Sequence, residues 1–133
     1  MQIVIFKLKD ELFAVETAKV QSITDVMEIT KVPKAPMHIK GLINLRGNIL
    51  SLLDINLLLN IDKEDNSQRN VIIIDIEEEE IAILVDEVEE VLEIDEKIIQ
   101  KFDNELGKEY VKGIVNLKNR IVTLVDLNKL LGN

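Results

Sequence analysis

The chain contains no cysteine and no tryptophan, and only one histidine, one tyrosine and two prolines among its 133 residues. Without cysteine, a disulfide framework and a thiolate metal site are excluded, which suits a reducing compartment. No apolar run approaches the roughly 18 residues that cross a membrane, and the early segment IVIFKL lacks the features of a signal peptide. We therefore expect a soluble cytoplasmic protein, whose hydrophobic content of 47% is ample for a packed core.

Acidic side chains are in excess, and the excess is unevenly distributed. Residues 1–67 contain 8 basic and 9 acidic side chains, whereas residues 68–133 contain 8 and 16. This balance repels phosphate backbones, and no segment interleaves basic with aromatic residues, so we expect no nucleic-acid partner. The acidic excess is interpreted as a solvated surface that aids solubility, with a binding face as the alternative.

Residue types that carry out catalysis are scarce and poorly placed. His38, in the loop PMHIKG, has no serine or acidic neighbour in sequence and is interpreted as a surface residue rather than a general base. None of the three serines lies in a nucleophile elbow, and the five glycines form neither a phosphate loop nor a dinucleotide fingerprint. The sequence therefore predicts a protein that is not an enzyme and needs no cofactor.

Two carboxylate features are candidate sites. The run Glu77–Glu80 lacks the alternate spacing and the turn glycine of a calcium loop, and is interpreted as a solvated hairpin tip. Asp54 and Asp126 occupy equivalent places in LLDIN and LVDLN, where a carboxylate dyad that shares a proton is the functional alternative. Each aspartate directly precedes a leucine-rich turn, so helix N-capping is the favoured interpretation. No metal site is predicted.

An internal repeat organises the chain. KGLINLRGNILSLLDINLLL, Lys40–Leu59, returns 72 residues later as KGIVNLKNRIVTLVDLNKLL, Lys112–Leu131, with identical residues at half of the positions. Upstream, an offset of 68 superposes Val20 on Val88 and Ile23 on Val91. The duplication therefore covers nearly the whole chain.

Period-two alternation predicts a mainly β structure. Predicted strands are Gln2–Leu8, Leu12–Val15, Leu42–Leu45, Asn48–Ile55, Val71–Ile76, Ile81–Val85, Glu87–Ile94, Val111–Leu117 and Arg120–Leu127, with a helical turn at Leu57–Asn60 and a linker at Asp62–Asn70. The segment Lys19–Val26 fits a strand, but it also fits a helix, because Val20, Ile23 and Met27 have the spacing of a helical stripe.

Each copy is too small to fold well alone, since a unit of about 60 residues buries only about 60% of its surface. Short alternating strands with glycine-containing turns predict a closed barrel, which leaves no exposed edges. We predict a single domain over residues 1–133 made of two packed five-stranded barrels, with subdomains at approximately 1–67 and 68–133. The groove between them is the expected place for an apolar partner to dock.

Arg46 is the functional residue that the pattern itself indicates. It lies beside Gly47 at a tight turn between strands, where a forked cation can contact a carboxylate or carbonyl of a partner. A turn arginine paired with a local acid is the structural alternative. The second copy has Lys118 and Asn119 at this turn.

The segment PMHIKGLINLRGNILSLLDI resembles the signature of the CheW family of bacterial chemotaxis coupling proteins, and FAVETAKVQSI and VDEVEEVLEI occupy the places of its other characteristic segments. The resemblance covers essentially all 133 residues. It implies two five-stranded SH3-like barrels with short helices. The implied function is a non-catalytic scaffold that ties the histidine kinase CheA to the cytoplasmic tips of chemoreceptors, the methyl-accepting chemotaxis proteins, in membrane-bound arrays.

Site residues follow from this resemblance position by position. The implied receptor contacts are Val20, Ile23, Gly41, Arg46 and Val91, and the implied face for the regulatory domain of the kinase includes Val85, Asp86 and Val88. The family often has glutamate where this chain has Ser22, and proline where it has Ser51. Ser22 has no carboxylate, so it cannot form the receptor salt bridge that a glutamate at this position could form.

Other readings of the sequence remain open. The same fold serves a cognate adaptor of another receptor and kinase array, or a piece of CheA or of the two-domain protein CheV, which adds a phosphoacceptor domain. An enzyme that uses Asp54 and Asp126 is the alternative from a different class.

Overall fold

The computed structural model describes residues 1–59, 61, 68–101 and 109–131. The strands are β1 Gln2–Leu8, β2 Glu11–Glu16, β3 Val20–Asp25, β4 Ile39–Leu45, β5 Asn48–Asp54, β6 Asn70–Ile76, β7 Glu79–Val85, β8 Glu87–Glu93, β9 Ile99–Gln100, β10 Val111–Leu117 and β11 Arg120–Val125; the helices are α1 Ile55–Leu58 and α2 Leu127–Leu131. Single 3-10 turns precede β3 and β9. None of these helices has the length and apolar character to cross a membrane.

The predicted strands are present, with ends that shift by a few residues. Most of the predicted linker, residues 62–67, lies outside the described residues, as does Asn60 of the predicted helical turn. Both short helices begin after an aspartate. The Asp54 side chain accepts a hydrogen bond from the backbone N–H of Asn56 at 3.1 Å, and Asp126 accepts one from the N–H of Lys129 at 3.2 Å. The capping interpretation of both aspartates is confirmed.

The strands form two sheets that exchange strands between the copies. One sheet has six strands in the order β8-β1-β2-β11-β10-β9, and the other has five in the order β3-β6-β7-β5-β4. β1 and β2, from the first copy, join the last strands of the chain, whereas β6 and β7 join β3, β4 and β5. The predicted division near residues 67 and 68 therefore does not coincide with the sheets. Parallel pairing of β2 with β11 and of β5 with β7 connects the two copies.

Each sheet returns on itself to make a barrel. Beyond β3, the backbone N–H of Thr30 donates to the carbonyl of Leu42 at 2.9 Å, and the N–H of Leu42 donates to the carbonyl of Thr30 at 2.8 Å. One segment thus pairs with β6 at one edge and with β4 at the other. In the second copy, β8 pairs with β1 at one edge and β9 pairs with β10 at the other. β8 and β9 together correspond to the single segment of the first copy, so the six-stranded sheet is the five-stranded one with one strand broken in two. The predicted pair of five-stranded barrels is confirmed in this form.

Apolar side chains fill both barrels and the space between them. The cluster inside the six-stranded barrel includes Ile3 and Ile5 of β1, and the cluster inside the five-stranded barrel includes Val71 and Ile73 of β6. The alternate residues of the same two strands form a third group, which we call the central cluster. Its buried members are Val4, Phe6, Leu8, Phe13, Val15, Leu53, Ile55, Leu59, Ile72, Ile74, Ile76, Ile83, Val85, Val125 and Leu127. β1 and β6 are therefore buried on both faces, as the continuous apolar run of β1 predicted.

Leu52→Ala is expected to lower the free energy of unfolding by about 2–5 kcal/mol, because it leaves a cavity inside the five-stranded barrel. Leu52 has 0% of its surface exposed, and it pairs with Gly41 and Ala82 on its two sides. Urea unfolding with an unchanged m-value measures the effect. Leu57→Ala, at a side chain that is 45% exposed, is the matched control and should change little. Equal losses in both variants would show that the register of β5 is wrong.

Gly41→Ala and Gly113→Ala are expected to destabilise the two barrel closures alike, by about 1–3 kcal/mol each. An added Cβ at Gly41 would lie 2.5 Å from the carbonyl oxygen of Thr30, and one at Gly113 would lie 2.8 Å from that of Gln100. Thermal unfolding measures both. Gly47→Ala is the control, because its added Cβ meets no atom within 4 Å and it brings only the strain of a positive φ, about 1 kcal/mol. A Gly41→Ala protein as stable as the parent would refute this tight approach.

Candidate functional site

An edge strand of the five-stranded barrel carries two of the predicted receptor contacts. In β3 the register shifts between Val20 and Ser22, so that Val20 lies opposite Ile74 and Ile23 lies opposite Ile72. Directly opposed residues share a face of an antiparallel sheet, and both isoleucines belong to the central cluster. The irregularity places residues three apart on one face, as a bulge does. This spacing explains why the segment also fitted the stripe of a helix.

The second copy repeats this geometry in β8. Val88 lies opposite Phe6 and Val91 lies opposite Val4, with a register shift between them. Phe6 and Val4 are members of the central cluster. Val88 and Val91 therefore point to the face of their sheet that the central cluster occupies, as Val20 and Ile23 do in the other sheet.

We call these four residues, Val20 and Ile23 of β3 with Val88 and Val91 of β8, the edge-strand face. Val20 and Val88 are half-buried and pack against the central cluster. Ile23 and Val91 are exposed, by 39% and 52%. The receptor contacts predicted at Val20, Ile23 and Val91 thus occupy matching places on two edge strands around one apolar core.

Charges flank the two parts of this face differently. In β8 the exposed neighbours of Val91 are acidic: Glu87, Glu89 and Glu93. The equivalent positions beside Ile23 are Lys19, Gln21 and Asp25, which sum to no net charge. The Glu93 carboxylate accepts a hydrogen bond from the amino group of Met1 at 2.8 Å, and this bond raises the pKa of that amino group. The two halves of the face are alike in shape and unlike in electrostatic potential.

Arg46 lies at the tip of the hairpin that joins β4 to β5. Its φ of 53° and the φ of 86° at Gly47 make a tight two-residue turn, which the pairing of Leu45 with Asn48 closes. The N–H of Gly47 donates to the Asn44 side chain at 2.9 Å. Arg46 is exposed, and no ion pair within the described residues includes it. The alternative in which Arg46 pairs with a local acid is therefore not seen in this part of the chain.

Gly41 is placed differently from the other predicted receptor contacts. It is buried in β4, under the backbone of Thr30 and the side chain of Ile29. Its role in this structure is to permit the close approach that closes the barrel. The strand pairing does not join Gly41 or Arg46 to the edge-strand face directly.

The residues predicted to meet the kinase lie mostly below the surface. Val85 has 0% exposure and belongs to the central cluster, so its side chain is not available for a surface contact in this conformation. Asp86 is 8% exposed; its carboxylate accepts a hydrogen bond from the N–H of Lys9 at 2.8 Å, and its own N–H donates to the carbonyl of Lys7 at 3.1 Å. These bonds fix the start of β8 against β1. Of the three, only Val88 reaches partial exposure.

Sequence reasoning missed a second matched pair of exposed apolar residues. Ile49 and Ile121, equivalent at the offset of 72, are 61% and 62% exposed on the outer faces of the β4–β5 and β10–β11 hairpins. The identity at this offset was the available signal. Alternation of apolar and polar residues alone did not reveal this pair, because alternation does not say which face of a hairpin other residues cover.

The other candidates for chemistry are scattered. No group of histidine, cysteine or acidic side chains suited to a metal ion occurs in the described part of the chain. Asp54 and Asp126 each cap a helix, and His38 lies half-buried before β4, with its carbonyl accepting the N–H of Asp54 at 2.8 Å. The carboxylates of the alternative dyad thus have structural partners.

Comparison with known proteins gives one consistent result. The model of the CheW-like domain matches residues 2–133. Similar proteins include a probable chemotaxis protein CheW from Rhizobium etli, 29% identical over 97% of this chain and 86% of the relative. Another is the chemotaxis protein CheW from Klebsiella aerogenes, 30% identical over 99% and 82%. The crystal structure of the scaffolding protein TtCheW from Thermoanaerobacter tengcongensis superposes with a TM-score of 0.85 at 30% identity, covering 99% of this chain and 90% of that one.

The matched length and the paired barrels agree with one another. The chain belongs to the CheW-like domain family, whose members are non-catalytic adaptors of chemotaxis signalling.

Proposed function

We propose that this protein couples chemoreceptors to the histidine kinase CheA on the cytoplasmic side of the membrane, and that it binds each partner through a different surface. The observation that carries the proposal is the exposure of Ile23 and Val91 at equivalent places on two edge strands. Val20 and Val88 pack against the central cluster beside these side chains, so each edge strand presents apolar surface that continues from the core, and such patches mark interaction sites. An adaptor needs such sites and no reacting group.

The receptor is assigned to Val20, Ile23 and Val91 of the edge-strand face and to Arg46, whereas Val88 of that face is kept for the kinase. The proposed mode is that of an amphipathic helix, which binds by placing apolar side chains three and four residues apart into an apolar groove. Val20 and Ile23 supply that surface on β3, and Val91 supplies it on β8. Arg46 adds a cation that hydrogen-bonds a carboxylate or carbonyl on two nitrogens. Its exposure at a turn leaves those donors accessible.

Ser22 modifies this assignment. The family often has an acid at this position, whereas here Ser22 lies half-buried opposite Ile73. The repeat-related position in β8 is Glu90, which pairs with Arg120. We therefore expect receptor recognition in this protein to depend on apolar contacts and Arg46, without an anionic contribution from Ser22.

The kinase regulatory domain is assigned to the surface where β8 begins. Val88 contributes a partly exposed apolar side chain there. Val85 and Asp86 support this surface from below, through the central cluster and through the bonds that Asp86 makes with β1 and the β1–β2 turn. Association of the protein with membrane-bound arrays follows from these two contacts.

Arg46→Ala should weaken binding of a receptor-tip fragment by about 1–3 kcal/mol while leaving the melting temperature unchanged, because the side chain is exposed and anchors only the interface. Isothermal titration calorimetry measures the affinity. The isolated regulatory domain of CheA should bind the variant with the same affinity as the parent. A large drop in melting temperature would assign Arg46 a structural role instead.

Ile23→Asp should abolish binding of the receptor-tip fragment by burying an unpaired carboxylate in an apolar interface. Ile49→Asp is the matched control, since Ile49 is even more exposed on the same barrel and lies outside the proposed contact. Both variants should remain folded, which circular dichroism verifies. Equal loss of binding in both variants, or in neither, would place the receptor elsewhere.

A further inference from the structure

A hollow of about 370 Å³ opens at one end of the six-stranded barrel. It is lined by Leu92, Leu117, Lys118, Asn119 and Arg120. Both leucines are partly buried and pack against the cluster inside the barrel, so the floor of the hollow is a continuation of that apolar core. Lys118 and Asn119 form the hairpin turn above this floor. The volume is near the lower end of the range for small-molecule pockets, about 300–1,000 Å³, which suits one or two side chains.

The rim of this hollow carries basic side chains, although the half of the chain that forms it is acidic overall. Lys118 is exposed, and Arg120, which also lines the hollow, pairs with Glu90 of β8. Both members of the pair keep more than a third of their side-chain surface exposed, 37% for Arg120 and 39% for Glu90. One carboxylate cannot use all five N–H donors of a guanidinium. The opening therefore presents two cations and one anion, although residues 68–133 have twice as many acidic as basic side chains.

The repeat shows that these features are particular to the second copy. At the equivalent places the five-stranded barrel has Thr24 instead of Leu92, and Asn48 instead of Arg120. Ser22 takes the place of Glu90, so that barrel has no corresponding ion pair. One leucine of the floor and the turn cation are shared, as Leu45 with Leu117 and Arg46 with Lys118. The apolar floor with a double-cation rim is thus not a by-product of the barrel fold.

We propose that this hollow binds a short acidic segment of a partner protein. One apolar side chain of the segment, of the size of leucine or phenylalanine, enters between Leu92 and Leu117. Carboxylates on either side of it accept hydrogen bonds from Lys118 and Arg120, an arrangement that charge complementarity favours over neutral or basic segments. The site is separate from the residues assigned to the receptor and to the kinase, and so extends the function beyond coupling those two.

NMR titration of the full-length, ¹⁵N-labelled protein with the peptide acetyl-Glu-Glu-Phe-Glu-Glu-amide tests the proposal. Saturable shifts should concentrate on the amides of Leu92 and Leu117–Arg120. A peptide with serine in place of phenylalanine, and one with lysine in place of glutamate, should each bind about tenfold more weakly or not at all, because each loses one of the two contacts. Equal shifts with all three peptides, or no saturable binding of the first, would overturn it.

Variants separate this site from its counterpart in the other barrel. Lys118→Glu combined with Arg120→Glu should weaken the acidic peptide by about tenfold or more and strengthen the lysine peptide. Arg46→Glu, at the equivalent turn, should change neither affinity. If the double variant loses its dispersed spectrum, Lys118→Glu alone, at an exposed turn, must still weaken the acidic peptide severalfold. Shifts that move to Ile23 or Val91, or a dependence on Arg46, would assign the peptide to the proposed receptor contacts and refute the hollow.

Discussion

The burial of both faces of β1 and β6 is the constraint on which the rest of this structure depends. Ile3 and Ile5 fill one barrel while Val4 and Phe6, on the opposite face of the same strand, meet the other barrel. A barrel of about 60 residues is marginal when it stands alone. Here each barrel uses its neighbour as part of its core. The edge strands β3 and β8 pair with these two-sided strands, so surfaces on the edges are held in fixed positions by the central cluster.

Local pattern was sufficient to predict the strands, and the repeat was sufficient to predict two barrels. The membership of the sheets was not predictable in the same way. Alternation fixes which side chains share a face of β5, but it does not say which strand lies beside β5 in the sheet. In the structure, β5 pairs in parallel with β7, through Leu52, Leu53 and Asp54. Sheet membership therefore does not follow position along the chain for β1, β2, β6 and β7.

The candidate site shows a similar limit. Val20 and Ile23 were placed together by their resemblance to a known pattern, yet their spacing of three made strand and helix equally acceptable. A register shift at the same place in β3 and in β8 resolves the ambiguity, and no residue type marks such an irregularity in sequence. Burial was also hidden at Val85, since an apolar residue at the end of a strand fits a surface or a core. By contrast, the N-capping aspartates were predictable because capping is a local interaction.

The exchange of strands has a consequence for how the chain is made. The five-stranded barrel is complete once β7 has been synthesised, whereas β1 and β2, which precede all of its strands, lack their neighbour β11 until the end of the domain is synthesised. Long-range pairing of this kind is slow and leaves unpaired edges exposed in the meantime. During this interval, β1 and β2 of one nascent chain can pair with strands of another molecule, as in a swapped dimer. The strand exchange that stabilises the folded protein thus leaves the edge of β2 exposed in the nascent chain until Val122–Leu124 pair with it.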